Sequence, residues 1–108
     1  MKKRKVLLTN EAMCDLADIE DYIEQEFSTK EVIDFQQKTD ELIKLLSETI
    51  AFTGKTFLLY RGFYIYKGLV KPSIFFYIIK NDEVHILRVL REEQDWNYLM
   101  TRDVEYHY

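Results

Sequence analysis

The sequence predicts one α+β domain over residues 1–108, in which a helical hairpin packs on one face of an antiparallel sheet. Apolar residues recur at three- and four-residue spacing between positions 12 and 50, a period typical of amphipathic helices. Beyond Gly54 the chain turns to short stretches rich in aromatic and β-branched residues, which are typical of strands. We write the predicted order as β-α-α-β-β-β-α, with a short C-terminal helix, and a length of 108 residues suits a single domain.

The first half of the chain holds a strand and two helices. Residues 3–8 predict the strand, and Thr9 or Asn10 after it can cap a helix. The first helix has an apolar stripe from Ala12 to Phe27 and an acidic face, including Asp15, that we expect in solvent. Residues 28–31 match a capping box, which predicts a second helix with a stripe from position 32 to 50. Gly54 is predicted to end the segment that leaves this helix.

The second half predicts strands at residues 56–60, 63–67, 73–80 and 84–91. Turn-forming residues separate them at positions 61–62, 68–72 and 81–83. A final helix is predicted from Glu92 to about Met100, and residues 103–108 are predicted to be a tail.

Charge is unevenly distributed along the chain. The net charge of −4 argues against a nucleic-acid grip by the whole surface, and we expect no sequence-specific DNA binding by this chain alone. Most acidic residues fall within positions 11–48. Positions 55–91 hold only two acidic residues, Asp82 and Glu83, against seven cations: Lys55, Arg61, Lys67, Lys71, Lys80, Arg88 and Arg91. A local basic face is therefore compatible with the sequence.

Several function classes are excluded by what the sequence lacks. No apolar run is long enough for a membrane span, and the basic N-terminus is not followed by the apolar stretch of a signal peptide. A single cysteine, Cys14, fits a reducing compartment, so we predict a cytoplasmic protein. No metal-binding spacing or glycine-rich phosphate loop is present, and we expect neither a metal nor a nucleotide cofactor.

Three segments carry a resemblance to the RelE/ParE toxins of type II toxin–antitoxin systems. The opening LTNEA (8–12), DLADI (15–19) and YI (22–23) resembles the family's strand and first helix. FFY (75–77) and VHILRVL (84–90) resemble its hairpin, and Asp95, Trp96 and Leu99 resemble the start of its last helix. The resemblance covers roughly residues 5–100 and implies a cognate antitoxin that wraps the toxin with a segment that folds on binding.

The resemblance implies two alternative activities. RelE-like members resemble ribosome-dependent mRNA endonucleases, and the candidate catalytic residues here are Lys67, Arg88 and Arg91. Two features depart from that pattern: Glu92 stands where a catalytic arginine is expected, and Ile74 stands where such toxins place another arginine just before the V-Y pair of the fourth strand. ParE-like members resemble inhibitors of DNA gyrase, and LRVLR (87–91) followed by Asp95 is similar to their motif except that Arg91 replaces a histidine.

We therefore interpret the chain as closer to ParE, with a surface that binds a protein target. The candidate target-binding residues are Arg61, Lys67, Arg88, Arg91, Asp95 and Trp96. A third hypothesis is a family member that has kept its antitoxin and lost its toxicity, which Glu92 motivates.

Each single residue also has a structural interpretation. Arg88 lies among apolar strand residues, where we expect an ion-pair partner. Strand aromatics such as Tyr60, Tyr64 and Tyr66 pack in cores more often than they stack on ligands. We expect His85 at the surface, Cys14 as a semi-buried filler, and His107 as a chance similarity to the His-Tyr ending of some ribosome-dependent relatives.

Overall fold

The computed structural model describes residues 3–48, 54–101 and 105–108. Within them lie β1 (Lys5–Leu8), α1 (Asn10–Glu26), α2 (Thr29–Glu48), β2 (Gly54–Tyr60), β3 (Phe63–Val70), β4 (Ser73–Lys80), β5 (Glu83–Arg91) and α3 (Trp96–Thr101). The predicted α+β class is confirmed. Four strands follow α2, one more than the order β-α-α-β-β-β-α contains, because each of the four β-rich stretches forms a strand of its own.

The five strands form one sheet in the order β1-β5-β4-β3-β2. Strands β2 to β5 pair antiparallel, as predicted, through successive hairpins. Strand β1 instead runs parallel to β5, a pairing that the long connection between them allows. Two of the hairpin turns have positive φ at both central residues, Arg61-Gly62 and Asn81-Asp82, which suits the right-handed twist of the flanking strands.

Side chains alternate between two sheet faces, and both faces are covered. The helical hairpin packs on what we call the helix face, as predicted. This face presents Phe75, Tyr77, Val84, Ile86 and Val89 to Ala12, Ile19, Ile23, Phe35 and Leu46. The opposite side, the second face, presents Ile65, Phe76, Ile78, Leu87 and Leu90 to Met100 and Tyr106.

Some predicted boundaries differ from the structure. Gly54 is the first residue of β2. The end of the apolar stripe of the second helix at Ile50, and the segment that Gly54 is predicted to end, fall within positions 49–53, outside the described residues. Strand β3 continues past Lys67 because Gly68, Leu69 and Val70 remain paired with β4.

The last helix begins at Trp96 instead of the predicted Glu92. The amide of Arg91 donates to Gln94 Oε1 at 2.7 Å, which keeps the chain in a turn after β5. Asp95 Oδ1 then accepts the amide of Tyr98 at 3.1 Å and so serves as the N-cap of α3.

Helix α1 is bonded to β5 at the point where β1 ends. Strand β1 pairs with β5 only as far as Leu8 and Ile86. Beyond them, Thr9 Oγ1 donates to the carbonyl of Leu87 at 2.7 Å and also accepts the Ala12 amide at 3.0 Å as the N-cap of α1. Beyond the end of β1, the hydrogen-bond partner of β5 is therefore the side chain of Thr9, the N-cap of α1.

Asp15 completes this junction. Its carboxylate accepts the Val89 amide at 3.0 Å and pairs with the Arg88 guanidinium through two hydrogen bonds of 2.6 and 2.9 Å. The prediction that Asp15 lies in solvent is wrong, since its side chain is only 13% exposed. The physical reason is that Arg88 and an unpaired strand amide both need an acceptor here.

Replacing Asp15 by alanine is expected to lower the free energy of unfolding by about 2 kcal/mol, because it leaves a partly buried guanidinium and a strand amide without an acceptor. Urea denaturation followed by circular dichroism measures the change. Asp18→Ala, one turn further on the exposed side of α1, is the matched control and should change stability by less than about 0.5 kcal/mol. Equal effects of the two substitutions would contradict a special role for Asp15.

Candidate functional site

The second face brings together two of the predicted target-binding residues, Lys67 and Trp96. Lys67 is the cross-strand partner of Phe76, whose ring lies 5.4 Å from that of Trp96. The Lys67 Nζ atom lies 5.0 Å from the Trp96 ring centroid, within cation–π range. Strand β3 and helix α3 thus place an exposed cation beside a half-buried indole, an arrangement suited to binding a carboxylate next to an apolar group.

An open cavity of about 390 Å³ adjoins Lys67. Gly54, Gly68, Leu69 and Ile74 line the rest of it, and the Leu69 side chain is mostly exposed. The lining is apolar apart from Lys67, and no acidic residue occurs between positions 54 and 80. This end of the second face therefore combines exposed apolar area with an unbalanced positive charge.

The two predicted arginines of β5 lie on the other side of the sheet, against α1. Arg88 is held by Asp15, and the hydrogen bonds between them raise the pKa of the guanidinium above its ordinary value. Arg91 lies over the Tyr22 ring, 4.2 Å from its centroid, and pairs with Glu93 at 2.7 Å. The structure therefore does not gather Lys67, Arg88 and Arg91 into one site.

The remaining predicted residues have local partners. Arg61 forms an exposed ion pair with Glu105 at 3.0 Å, which raises the pKa of the guanidinium. Asp95 caps α3, as described above. Glu92 is exposed, and its amide donates to the carbonyl of Pro72 at 2.9 Å.

The strand tyrosines divide between packing and exposure. Tyr66 stacks on Tyr77 with ring centroids 5.7 Å apart, and Tyr60 lies 5.1 Å from Tyr106. Tyr64 is half exposed, with Lys55 Nζ 3.8 Å from its ring centroid. Tyr60 and Tyr66 therefore fit the packing interpretation.

Two expectations about single residues are wrong. His85 is buried, not at the surface, because the Tyr108 side chain covers it: their rings lie 5.3 Å apart and His85 Nδ1 is hydrogen-bonded to the Tyr108 hydroxyl. Cys14 is exposed, not a semi-buried filler, because it falls off the apolar stripe of α1. His107 forms contacts that sequence reasoning missed: its amide and Nδ1 each lie 2.8 Å from the Glu11 carboxylate.

Asp15 and Glu11 are the carboxylates that sequence reasoning did not single out. The signal for Asp15 was available, since Arg88 in an apolar strand requires an acidic partner. No local pattern indicated that Glu11 would meet a residue 96 positions later in the chain.

Other site types find no support among the described residues. No group of three or more His, Cys, Asp or Glu side chains in that part of the chain is placed to hold a metal ion. None of the helices seen in the described ranges is both long and apolar enough to cross a membrane.

The Glu11–His107 pair predicts a defined pH window of stabilisation. Its hydrogen bond lowers the pKa of Glu11 from 4.5 to about 2, so this contribution is complete above pH 4.5 and is lost as the pH falls toward 2. The same pair raises the pKa of His107 above 6.5, so that contribution is complete below pH 6.5 and is lost as the pH rises through the raised value.

The stability difference between the protein and its Glu11→Gln variant is therefore expected to be largest between pH 4.5 and 6.5 and to shrink on both sides. Urea denaturation across this pH range measures it. A difference that does not change with pH would show that the pair contributes no charge interaction.

Comparisons with known proteins agree with the fold. The model of the family described as "ParE toxin of type II toxin-antitoxin system, parDE" matches residues 6–96. A search of curated proteins gives no match. A solved structure described as "Chromosomal ParDE TA system from P. aeruginosa" superposes with a TM-score of 0.67 at 20% identity, covering 86% of this chain and all of that one.

At 20% identity the structural likeness supports the fold alone, whereas the family match spans most of the chain and includes the strand, helix and hairpin segments described above. The chain belongs to the ParE toxin family, within the RelE/ParE superfamily of type II toxin–antitoxin systems.

Proposed function

We propose that this protein inhibits growth by binding a protein target, with DNA gyrase as the candidate that the family suggests, and that a cognate antitoxin neutralises it. Membership of the ParE family supports this proposal, and the similar structure from P. aeruginosa is described as a ParDE toxin–antitoxin system. The target and the antitoxin of this chain are parts of the proposal.

The placement of the cations carries the preference for binding over RNA cleavage. Cleavage by the RNA 2′-hydroxyl needs a base, an acid and cations around one phosphate. Lys67 lies on the second face, whereas Arg88 and Arg91 contact α1 and have carboxylate partners of their own. The exposed Glu92 adds a negative charge beside Arg91.

The second face offers the better contact surface. Lys67, Trp96 and the exposed Leu69 lie around the open cavity, so charged and apolar contacts are available side by side. A partner that presents a carboxylate next to apolar side chains is complementary to this surface.

Lys67→Glu is expected to weaken inhibition of gyrase supercoiling by about ten-fold, because it reverses the charge that this surface offers to a carboxylate. Lys30→Glu makes the same charge change at the exposed start of α2 and should stay within about two-fold of the unchanged protein. The assay titrates each purified protein against gyrase and relaxed plasmid.

If the unchanged protein leaves supercoiling intact at every stoichiometry, gyrase is not the target. Induction of the gene alone, with pulse labelling of DNA and protein synthesis, then separates the alternatives. Translation failing first would favour an mRNA endonuclease, and unimpaired growth would indicate a member that has lost its toxicity.

The product of an adjacent gene for a small DNA-binding protein is expected to co-purify with this chain and to restore growth when both are expressed. Segments that fold on binding bury exposed apolar surface such as that around Leu69 and Trp96. Affinity purification of the tagged toxin from cells that express both genes tests this. A neighbouring product that neither binds nor restores growth would contradict the antitoxin part of the proposal.

A further inference from the structure

Residues 105–108 lie across the second face and contact four elements of the fold: β2 with the turn that follows it, α3, α1 and β5. The Tyr106 side chain is buried against Tyr60 and Met100. The Tyr106 amide donates to the Tyr60 hydroxyl at 3.2 Å. We call these four residues the strap.

The two ends of the strap are held by polar contacts. Glu105 pairs with Arg61 in the turn between β2 and β3. His107 contacts the start of α1, where its carbonyl accepts the Asn10 amide at 2.5 Å and its amide and Nδ1 meet the Glu11 carboxylate. The Tyr108 hydroxyl is hydrogen-bonded to His85 Nδ1 of β5.

The strap is held less firmly than the sheet beneath it. Tyr106 is 7% exposed, but Glu105, His107 and Tyr108 are all exposed. Exposed ion pairs contribute little to stability because water and salt screen them. Detachment of the strap therefore requires much less free energy than unfolding of the sheet.

We propose that residues 105–108 are a displaceable strap, that the proton on His107 sets how tightly the strap is held, and that its departure opens a peptide-binding groove on the second face. The seated strap shows what the groove accepts. Arg61 takes a carboxylate, and Tyr60 with Met100 takes the aromatic ring that follows it. The groove fits an extended segment that carries an acidic residue next to a tyrosine.

The charged groups around the strap explain the direction of the proton effect. Glu11 on α1 and Glu105 within the strap both favour the protonated form of His107, and their presence raises its pKa. Arg61 faces Glu105, and Glu83 lies beside His85 at the other end, 3.3 Å from His85 Nε2. Below the His107 pKa the ion pair with Glu11 is complete, and above it a neutral imidazole leaves only hydrogen bonds.

Amide hydrogen exchange followed by NMR on the full chain tests the proposal. The Asn10, Tyr106 and His107 amides report on the strap, since each hydrogen bond forms only when it is seated. After correction for intrinsic rates, their protection should fall about five-fold between about pH 5.5 and about pH 8.5, as expected for the loss of one exposed ion pair.

Two variants sharpen the exchange experiment. In Glu11→Gln, the three strap amides should show at both pH values the low protection that the unchanged protein shows at about pH 8.5. Asp34→Asn removes an exposed Lys38–Asp34 ion pair on α2 and should behave like the unchanged protein. Protection of the strap amides that is independent of pH, or that equals the protection of the core amides of β4, would contradict the proposal that the strap is displaceable and held by the His107 proton.

A tetrapeptide of sequence EYHY, blocked at both ends, tests the groove. In Tyr106→Ala, whose strap has lost its anchor, millimolar peptide should shift the amide resonances of Tyr60, Arg61 and Glu11. The unchanged protein should show much smaller shifts, since its own strap fills the groove. Equal shifts in the two proteins, or none in a folded Tyr106→Ala, would refute a peptide-binding groove.

Discussion

The junction of α1 with β5 is the constraint on which the rest of the structure depends. Strand β1 has four residues and leaves the edge of β5 open beyond Ile86, in a region where the strand is buried. Buried backbone groups must find partners, and the N-cap Thr9 and Asp15 of α1 supply them. Because Thr9 is the N-cap of α1 and Asp15 lies in its second turn, the junction also sets the direction of the helical hairpin across the helix face. The second face is thereby left for α3, the strap and the exposed surface around Lys67.

The uneven charge distribution of the sequence has a structural meaning. The acidic first half supplies the partner of Arg88, through Asp15, whereas Arg61 and Arg91 pair with Glu105 and Glu93 of the second half. The ion pair between Asp15 and Arg88 neutralises both charges at the junction. Lys67, by contrast, has no acidic neighbour in β2, β3 or β4. A net charge of −4 is therefore compatible with one locally basic surface. That surface is small and partly apolar, which suits a protein partner better than a phosphate backbone.

Local periodicity predicted both long helices, the approximate place of every strand and the packing of the helical hairpin on one face of the sheet. These features follow from side-chain spacing, which a single sequence displays directly. A single sequence does not display which distant residues come into contact. Burial of His85 depends on Tyr108, 23 positions away, and burial of Asp15 depends on Arg88 and Val89 across the junction. The start of α3 was misplaced for a related reason, since Gln94 and Asp95 stop the helix through hydrogen bonds that propensity alone does not specify.

The motif that carries the family resemblance is chiefly a folding motif. In residues 87–91, Leu87, Val89 and Leu90 are core side chains, and Arg88 is bound to Asp15. Substitution at these positions is constrained by packing and by the partly buried ion pair, whatever the protein binds. Packing does not decide the residue at exposed positions such as Lys67 and Leu69, and the proposed function places target choice there. The hairpin motif therefore specifies the sheet, and under the proposed function the choice of target is left to exposed positions outside it.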